Sequence, residues 1–546
     1  MANVKFPKNI FEKEIGELNE KMQEKIALFG CPVEAITENE LELEIFPNRP
    51  DLLSYHGFKR SFLAFLDKKT RIKEYIIKKP EKDYEIIIDS SVKDVRPFTA
   101  CAIIKNLKLD NEKIKEIIEI QEKIHITLGR KRKKIAIGIY PLEKIALPIT
   151  YKALEPDQIK FTPLESPKEM TGLEILQKHP TGKEYAHLLA GKIKFPILID
   201  KNNNILSMPP IINSESTGRI NEKTKEVFIE CSGFDFSILK KTLNIIVTTL
   251  AEMGGTIYQM DLKYNKKETT PNLEKEKMKI SLENVNKLLG LELNEKTVKQ
   301  LLEKMGYSFS KGEVEIAPWR TDILHEVDLI EDIAIAYGYE NFIEEIPKIA
   351  TIGQEDHKEK LKRKISEILT GLGFLEVSNY NITIKKDQFE KMGLNEKQIT
   401  DIIELKESKT DYTIMRKDLS HYLLKNLSEN VDEEYPQKIF EIGKIFEYNK
   451  AIEEKNSLSI AITPGNFTEI KQVLEYLFRM LDKKIKLQDP KESKVHFIEG
   501  RVASITFEDK IIGYVGEIHP KILKNWKIKM PVALLEINLE EIFEKI

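Results

Sequence analysis

Four carboxylates fall close together in the segment 318–339: Asp322, Asp328, Glu331 and Asp332. A helix turns about 100° per residue, so Asp328, Glu331 and Asp332 share one face, opposite Ile330, Ile333 and Tyr337. Asp322 lies just before the helix and can reach the same place. Converging carboxylates repel unless something positive sits among them, and a hard cation such as Mg²⁺ with oxygen ligands meets that need. The same spacing also serves an ordinary amphipathic helix with a solvated acidic face. A second segment, 46–54, reads Phe-Pro-Asn-Arg-Pro-Asp-Leu-Leu-Ser. Arg49 there is a fork-shaped donor for a carboxylate or phosphate, and Asp51 or Ser54 suits a helix cap. A third, 129–134, places Arg130, Lys131 and Arg132 in a cationic run after Gln121 and His125. Such a run holds RNA phosphates, or is a solvated loop. The fourth pairs 208–215 with 228–235. Prolines fix the backbone there, and Asn213, Ser214, Glu215 and Asp235 are candidates for lining a pocket, orienting a water or binding an amine; turn chemistry is the alternative. The chain has no glycine-rich phosphate loop, no dinucleotide fingerprint, no zincin helix and no nucleophile elbow.

These groups must be positioned by several domains. An α/β unit at 1–83 holds an alternating strand at 41–45 and a helix at 54–66 with Phe58, Phe62 and Phe65 on one face. Residues 84–265 mix strands at 84–89, 134–139, 195–200 and 226–230 with helices at 113–128 and 239–252. The polar stretch 263–277 reads as a linker. Residues 272–347 form a helix-rich module resembling a winged helix, with helices at 281–289, 294–305 and 325–337. Residues 350–546 alternate six strand candidates, the first at 377–382, with helices at 359–372 and 469–481, which suggests an antiparallel sheet with helices on one side. The fold class is therefore α+β and multidomain.

Composition sets bounds on partners. Charged residues make up 32% of the 546-residue chain, yet 86 Lys and Arg nearly balance 89 Asp and Glu. Any contact with RNA must use local patches rather than a basic surface. Cys31, Cys101 and Cys231 are too far apart in sequence for a metal knuckle or a disulfide framework. The first 30 residues lack a secretory apolar core, and no run reaches the ~20 apolar residues of a membrane span. A cytoplasmic protein without membrane contact is expected.

Several segments together resemble one family, in order along the chain. Residues 46–54, 121–138, 207–215 and 318–339 resemble segments of phenylalanyl-tRNA synthetase β subunits of the archaeal/eukaryotic type. So do 411–416, ending in Met-Arg, 439–446, Ile-Phe-Glu-Ile-Gly-Lys-Ile-Phe, and 513–520, Gly-Tyr-Val-Gly-Glu-Ile-His-Pro. The resemblance covers nearly the whole chain.

The resemblance implies an α₂β₂ enzyme whose α subunit joins phenylalanine, ATP and tRNA. It implies that 350–546 is a class II synthetase core without catalytic residues; the sequence indeed holds no Arg-x-Glu motif. It implies Mg²⁺ bound by Asp322, Asp328, Glu331 and Asp332 and shared with α. It further implies that 84–265 hydrolyses tyrosine wrongly attached to the tRNA, with Asn213, Ser214, Glu215 and Asp235 as pocket residues. Relatives show Thr-Gly-Thr-Asp where this chain has Ser232, Gly233, Phe234 and Asp235, so Phe234 is expected to narrow or reshape that pocket. Two other readings fit the residues: an RNA-binding or scaffold protein descended from such a subunit, and a Mg²⁺-dependent hydrolase using the acidic cluster.

Overall fold

The computed structural model describes residues 2–395, 401–492 and 494–543. They form two compact units, 1–346 and 347–546.

The first unit opens with a small antiparallel sheet, Ala2–Pro7, Glu40–Ile45 and Val33–Ile36, in which Ala2 faces Ile45. Glu40–Ile45 alternates buried and half-buried side chains, as its sequence predicts. The helix Tyr55–Phe65 starts at Ser54, whose hydroxyl accepts from the Gly57 amide at 3.0 Å. It presents Phe58 and Phe62 to Phe6, Phe11 and Phe29. Ser54 Oγ also meets Thr249 Oγ1 at 3.2 Å in the interior. Ser54→Ala is therefore expected to lower stability by about 1–2 kcal/mol, read as a lower denaturation midpoint in urea.

The centre of this unit is an eleven-stranded mixed sheet. Its middle strands, Phe98–Lys105 and Val227–Gly233, are buried along almost their whole length because both faces are covered. Ala100, Ala102 and Ile104 pack with the helices Asn111–Ile126 and Phe236–Glu252, while Cys101 and Ile103 face Tyr140, Tyr151 and Phe195. All three cysteines are buried and free.

The stretch 263–277 is not a linker. Lys267–Thr270 returns antiparallel along Thr256–Lys263, and Glu276–Lys279 pairs with Glu313–Ile316. Its polarity belongs to strands with a wet face: Lys267 and Glu268 stay exposed, while Thr270 turns inward and bonds both the amide and the carbonyl of Cys101. Charged side chains on such strands also discourage pairing with other chains. Beyond it, the capped helices Leu282–Leu289 and Glu295–Lys304 pack on a three-stranded sheet, followed by Glu326–Tyr337.

The second unit is a seven-stranded sheet in the order Leu375–Glu376, Gln437–Asn449, Ala451–Thr463, Ala533–Asn538, Lys510–Ile518, Phe497–Phe507, Lys486–Gln488. Only the first pair is parallel. Helices cover both faces, correcting the one-sided expectation. His357–Gly371 and Phe467–Met480 pack on Leu458, Ile460 and Ile462. On the other side Ser420–Glu429 and Pro520–Asn525 pack on Ile439, Ala461 and Leu534. The second face was hidden because it mixes apolar residues with buried Ser457, Ser459 and Glu441 and half-buried Glu536, which blurs the alternation. The expected strand at 377–382 is interrupted: Asn379 turns its amide to Glu441 at 2.7 Å, and Tyr380 is exposed.

Candidate functional site

Two cavities of the first unit gather the residues singled out above. The first, of about 510 Å³, lies between the helix Asn111–Ile126, the strand Ile135–Pro141 and the segment 209–213. Gln121, His125, Arg132, Asn213 and Glu230 line it. Val227–Gly233 carries Glu230 on the same face as Phe228, into the interior. The carboxyl is 2% exposed, and its Oε2 finds no hydrogen-bond partner among the described residues. Burial pushes its pKa up to about 8, against the pull of Arg96. At neutral pH it is therefore mostly a neutral acid with a free oxygen beside a cavity, a group suited to a single polar atom of a ligand.

The surroundings fix this geometry. Tyr140 Oη donates to Ser207 Oγ at 2.8 Å and reaches Asn213 Oδ1 at 3.3 Å. Residue 138 must be glycine, since a Cβ there would sit 2.2 Å from Tyr140 Oη. His125 Nε2 accepts from the Ile137 amide at 2.8 Å, so Nδ1 carries the proton and donates to Glu122 at 3.2 Å. Burial lowers the pKa of His125 and keeps it neutral.

Arg132 is not a free phosphate contact. It donates to Ile211 O at 2.9 Å and Glu122 at 3.0 Å and lies over Tyr185. Arg130 and Lys131 are exposed. All three have positive φ, at 48°, 53° and 63°. A left-handed run without glycine is strained, and strain of this kind marks places held for a purpose.

The structure separates the remaining candidates. Asn213 lines the cavity, whereas Ser214 turns to Ser216 at 3.0 Å, Glu215 accepts from the Glu165 amide, and Asp235 caps the helix Phe236–Glu252. Phe234 does not narrow the pocket. It is 52% exposed and stacks over Arg96, whose guanidinium is anchored on Ser232 by bonds of 3.1 and 2.6 Å.

The second cavity, of about 720 Å³, joins the first two motif segments: Asn48 and Arg49 face Asp322, Asp328, Glu331 and Asp332. The positive charge among the acids is a side chain. Arg320 forks onto Asp322 at 2.8 and 2.6 Å and reaches Asp332 at 2.8 Å, where Tyr307 also donates. Burial raises the pKa of Asp322, but Arg320 outweighs it and holds the carboxyl below its usual range. Asp332 is consequently buried rather than part of a solvated face. Asp328 closes a capping box, accepting from the amides of Leu324 and His325 at 2.7 and 2.8 Å. Glu331 is exposed and makes no hydrogen bond or ion pair among the described residues. Among the described residues no group of three His, Cys, Asp or Glu is placed to hold a metal ion. A cation at this wall would need ligands from outside the chain.

Comparison with known proteins agrees with the resemblance. Residues 344–539 match the model of the phenylalanyl tRNA synthetase beta chain CLM domain, and 278–339 that of the tRNA synthetase B5 domain. The phenylalanine–tRNA ligase beta subunit of Pyrococcus furiosus is 40% identical over 510 residues, 91% of this chain and 90% of that protein. The one from Archaeoglobus fulgidus is 36% identical over 98% of this chain and 97% of its own length. The chain belongs to the phenylalanine–tRNA ligase β-subunit family. A crystal structure of an N-terminal fragment of the phenylalanyl-tRNA synthetase beta subunit from Pyrococcus horikoshii, 38% identical, covers 62% of this chain and 99% of the fragment, with a TM-score of 0.59.

Two of the three family segments of the second unit also meet, 411–416 and 439–446. Arg416 donates to Glu441 at 2.6 Å and to Lys444 O at 2.8 Å. Gly443 permits this approach, because a Cβ there would lie 2.4 Å from Arg416 Nη2. The Glu517 carboxylate accepts from the Phe467 amide, and His519 caps the helix Pro520–Asn525. In this β-subunit chain the conspicuous arginine is thus committed to an internal ion pair.

Sequence reasoning missed Glu230, Arg320 and Tyr307. Glu230 left a signal: it is the one acidic residue in the run Val-Phe-Ile-Glu-Cys at 227–231, where a charge is out of place unless it has a task. Arg320 was visible two residues before Asp322, at the spacing by which Arg49 forks Asp51.

Proposed function

We propose that this chain is the non-catalytic β subunit of a cytoplasmic phenylalanine–tRNA ligase. It assembles with an α subunit as α₂β₂, and α supplies the ATP-dependent chemistry. Family membership along more than 90% of the chain supports this reading. The four-part division at 1–83, 84–265, 272–347 and 350–546 then assigns the pocket to an editing domain, the acidic wall to a winged-helix-like module, and the last domain to a degenerate class II core that docks on α.

The observation that carries the editing part is the unpartnered Oε2 of Glu230 on a cavity wall. A tyrosyl group attached to the tRNA brings one phenolic hydroxyl, which finds a partner in Glu230. A phenylalanyl group leaves that carboxyl unpaired in the interior, which disfavours it. Arg130 and Lys131, exposed beside the cavity-lining Arg132, would hold the tRNA backbone at the cavity mouth. The reaction is cleavage of the ester between tyrosine and the terminal ribose by water. Asp328, Glu331 and Asp332 would face a Mg²⁺ held mainly by ligands from α, with Asp322 held behind them by Arg320.

Phenylalanine charging of tRNA by this chain, by its α partner and by the two co-expressed tests the assembly. Activity is expected only with both present. Full activity of α alone would rule out an obligatory β subunit and favour the scaffold reading.

A further inference from the structure

A cavity of about 60 Å³ lies where the helix Tyr55–Phe65 meets the segment 317–320. It is a different cavity from the two above and shares only Arg320 with the acidic wall. Arg60 enters from the helix: its Nη1 donates to Tyr75 Oη at 2.9 Å, and its guanidinium lies over the Trp319 ring at 3.9 Å. Its Nε and Nη2 are buried with no acceptor among the described residues. Arg320 enters from the other side, 4% exposed. Its Nε and Nη2 serve Asp322 and Asp332, while Nη1 is buried and has no acceptor. Three buried guanidinium nitrogens, from the half-buried Arg60 and the buried Arg320, therefore lack acceptors around one small space.

Elementary electrostatics makes this arrangement incomplete. An unsatisfied buried donor is costly, more so when it is charged, and although Arg320 is paired with Asp322 and Asp332, its Nη1 and the two nitrogens of Arg60 stay without acceptors. The one acid on the wall, Glu252, is engaged by Lys73 at 2.7 Å and by Tyr75. The rest of the rim adds Lys69, Arg71 and Lys73. Arg71 is paired with Glu303, and Lys69 has no side-chain partner among the described residues. The missing element is a compact acceptor that carries negative charge and offers oxygens in several directions, which is the match for guanidinium forks. The space exceeds the ~10–15 Å³ that one water needs but does not admit a nucleoside.

We propose that Arg60 and Arg320 bind a single tetrahedral oxyanion, either inorganic phosphate or the terminal phosphate of a monoester. Bound there, it would tie the helix Tyr55–Phe65 to the segment that carries Arg320, and so steady the guanidinium that organises the acidic wall.

Equilibrium dialysis of the full chain against radiolabelled inorganic phosphate tests this. Saturable binding of one phosphate per chain is expected, unaffected by equal ionic strength of chloride. Arg60→Gln should weaken it about tenfold or more, the loss of a charge-assisted pair. Lys69→Glu, an exposed rim position that leaves the fold alone, should weaken it severalfold and decides the matter if Arg60→Gln fails to fold. A phosphorylated sugar should displace the label if monoesters are bound; if it does not, the ligand is the free ion. Absence of saturable binding, unchanged affinity in Lys69→Glu, or displacement by an RNA oligonucleotide lacking terminal phosphates would each overturn the proposal.

Discussion

Glu230→Ala is expected to abolish most of the preference for tyrosyl over phenylalanyl tRNA in hydrolysis, lowering tyrosyl-tRNA deacylation by the assembled enzyme about 30–100-fold. That range corresponds to about 2–3 kcal/mol for one buried hydrogen bond to an ionisable group. Glu230→Gln keeps an acceptor and a donor at the same place and should retain much of the activity. Deacylation of phenylalanyl-tRNA is the control and should change little. Equal loss on both substrates would assign Glu230 to packing, and unchanged tyrosyl-tRNA hydrolysis would remove the cavity from the reaction. The same residue predicts a pH effect. Its folded pKa of about 8 lies above the ordinary value of 4.5 because the charged form is buried. The unfolded chain releases this proton first, so the contribution of Glu230 to stability is whole below about pH 4.5, declines as pH rises, and is lost by about pH 8. Denaturant midpoints of Glu230→Gln minus those of the unaltered chain should therefore grow from pH 5 to 8 and then level off. A constant difference would mean that Glu230 ionises at its ordinary pH.

These residues also show what a sequence discloses. Helix starts were legible because capping is local: Ser54, Asn294 and Ser281 each accept an amide from within three residues. The aromatic face of Tyr55–Phe65 was legible because its period is that of the helix. The hairpin at 267–270 was not, since two polar strands look like a linker until the partner is known. The second helical face of the sheet in 347–546 was masked for a related reason: Glu536 sits inside it, accepting from the amides of Leu419 and Ser420 at 2.9 Å, and only the fold reveals those donors. Glu230 belongs to the same class. Arg132 and Asn213, which line the cavity with it, are about 100 and 20 residues away in sequence and meet it only across that cavity. The acidic segment was found by composition, but its counter-charge was assigned to a metal because side-chain spacing alone cannot distinguish a cation held by carboxylates from an arginine fork.

That distinction has a measurable consequence. Arg320→Met is expected to destabilise the first unit by about 3–5 kcal/mol or more, the cost of leaving a buried charge without its partner, here with both Asp322 and Asp332 affected. Lysine should not rescue it, because an ammonium is a point charge and cannot fork two carboxylates. Without Arg320, Asp322 would take up a proton more readily on folding, so the variant should regain stability as pH falls toward 4, the opposite of the unaltered chain, in which Asp322 is held below its usual pKa. Adding Asp332→Asn to Arg320→Met should recover part of the loss by removing one uncompensated charge. If the arginine is the counter-ion within this chain, a chelator leaves the stability of the isolated β chain unchanged, and any Mg²⁺ dependence emerges only in the complex with α, where Glu331 and the free oxygens of Asp328 and Asp332 gain outside ligands. A chelator that unfolds the isolated chain, or an Arg320→Met variant as stable as the original at neutral pH, would instead give the compensating role to the metal.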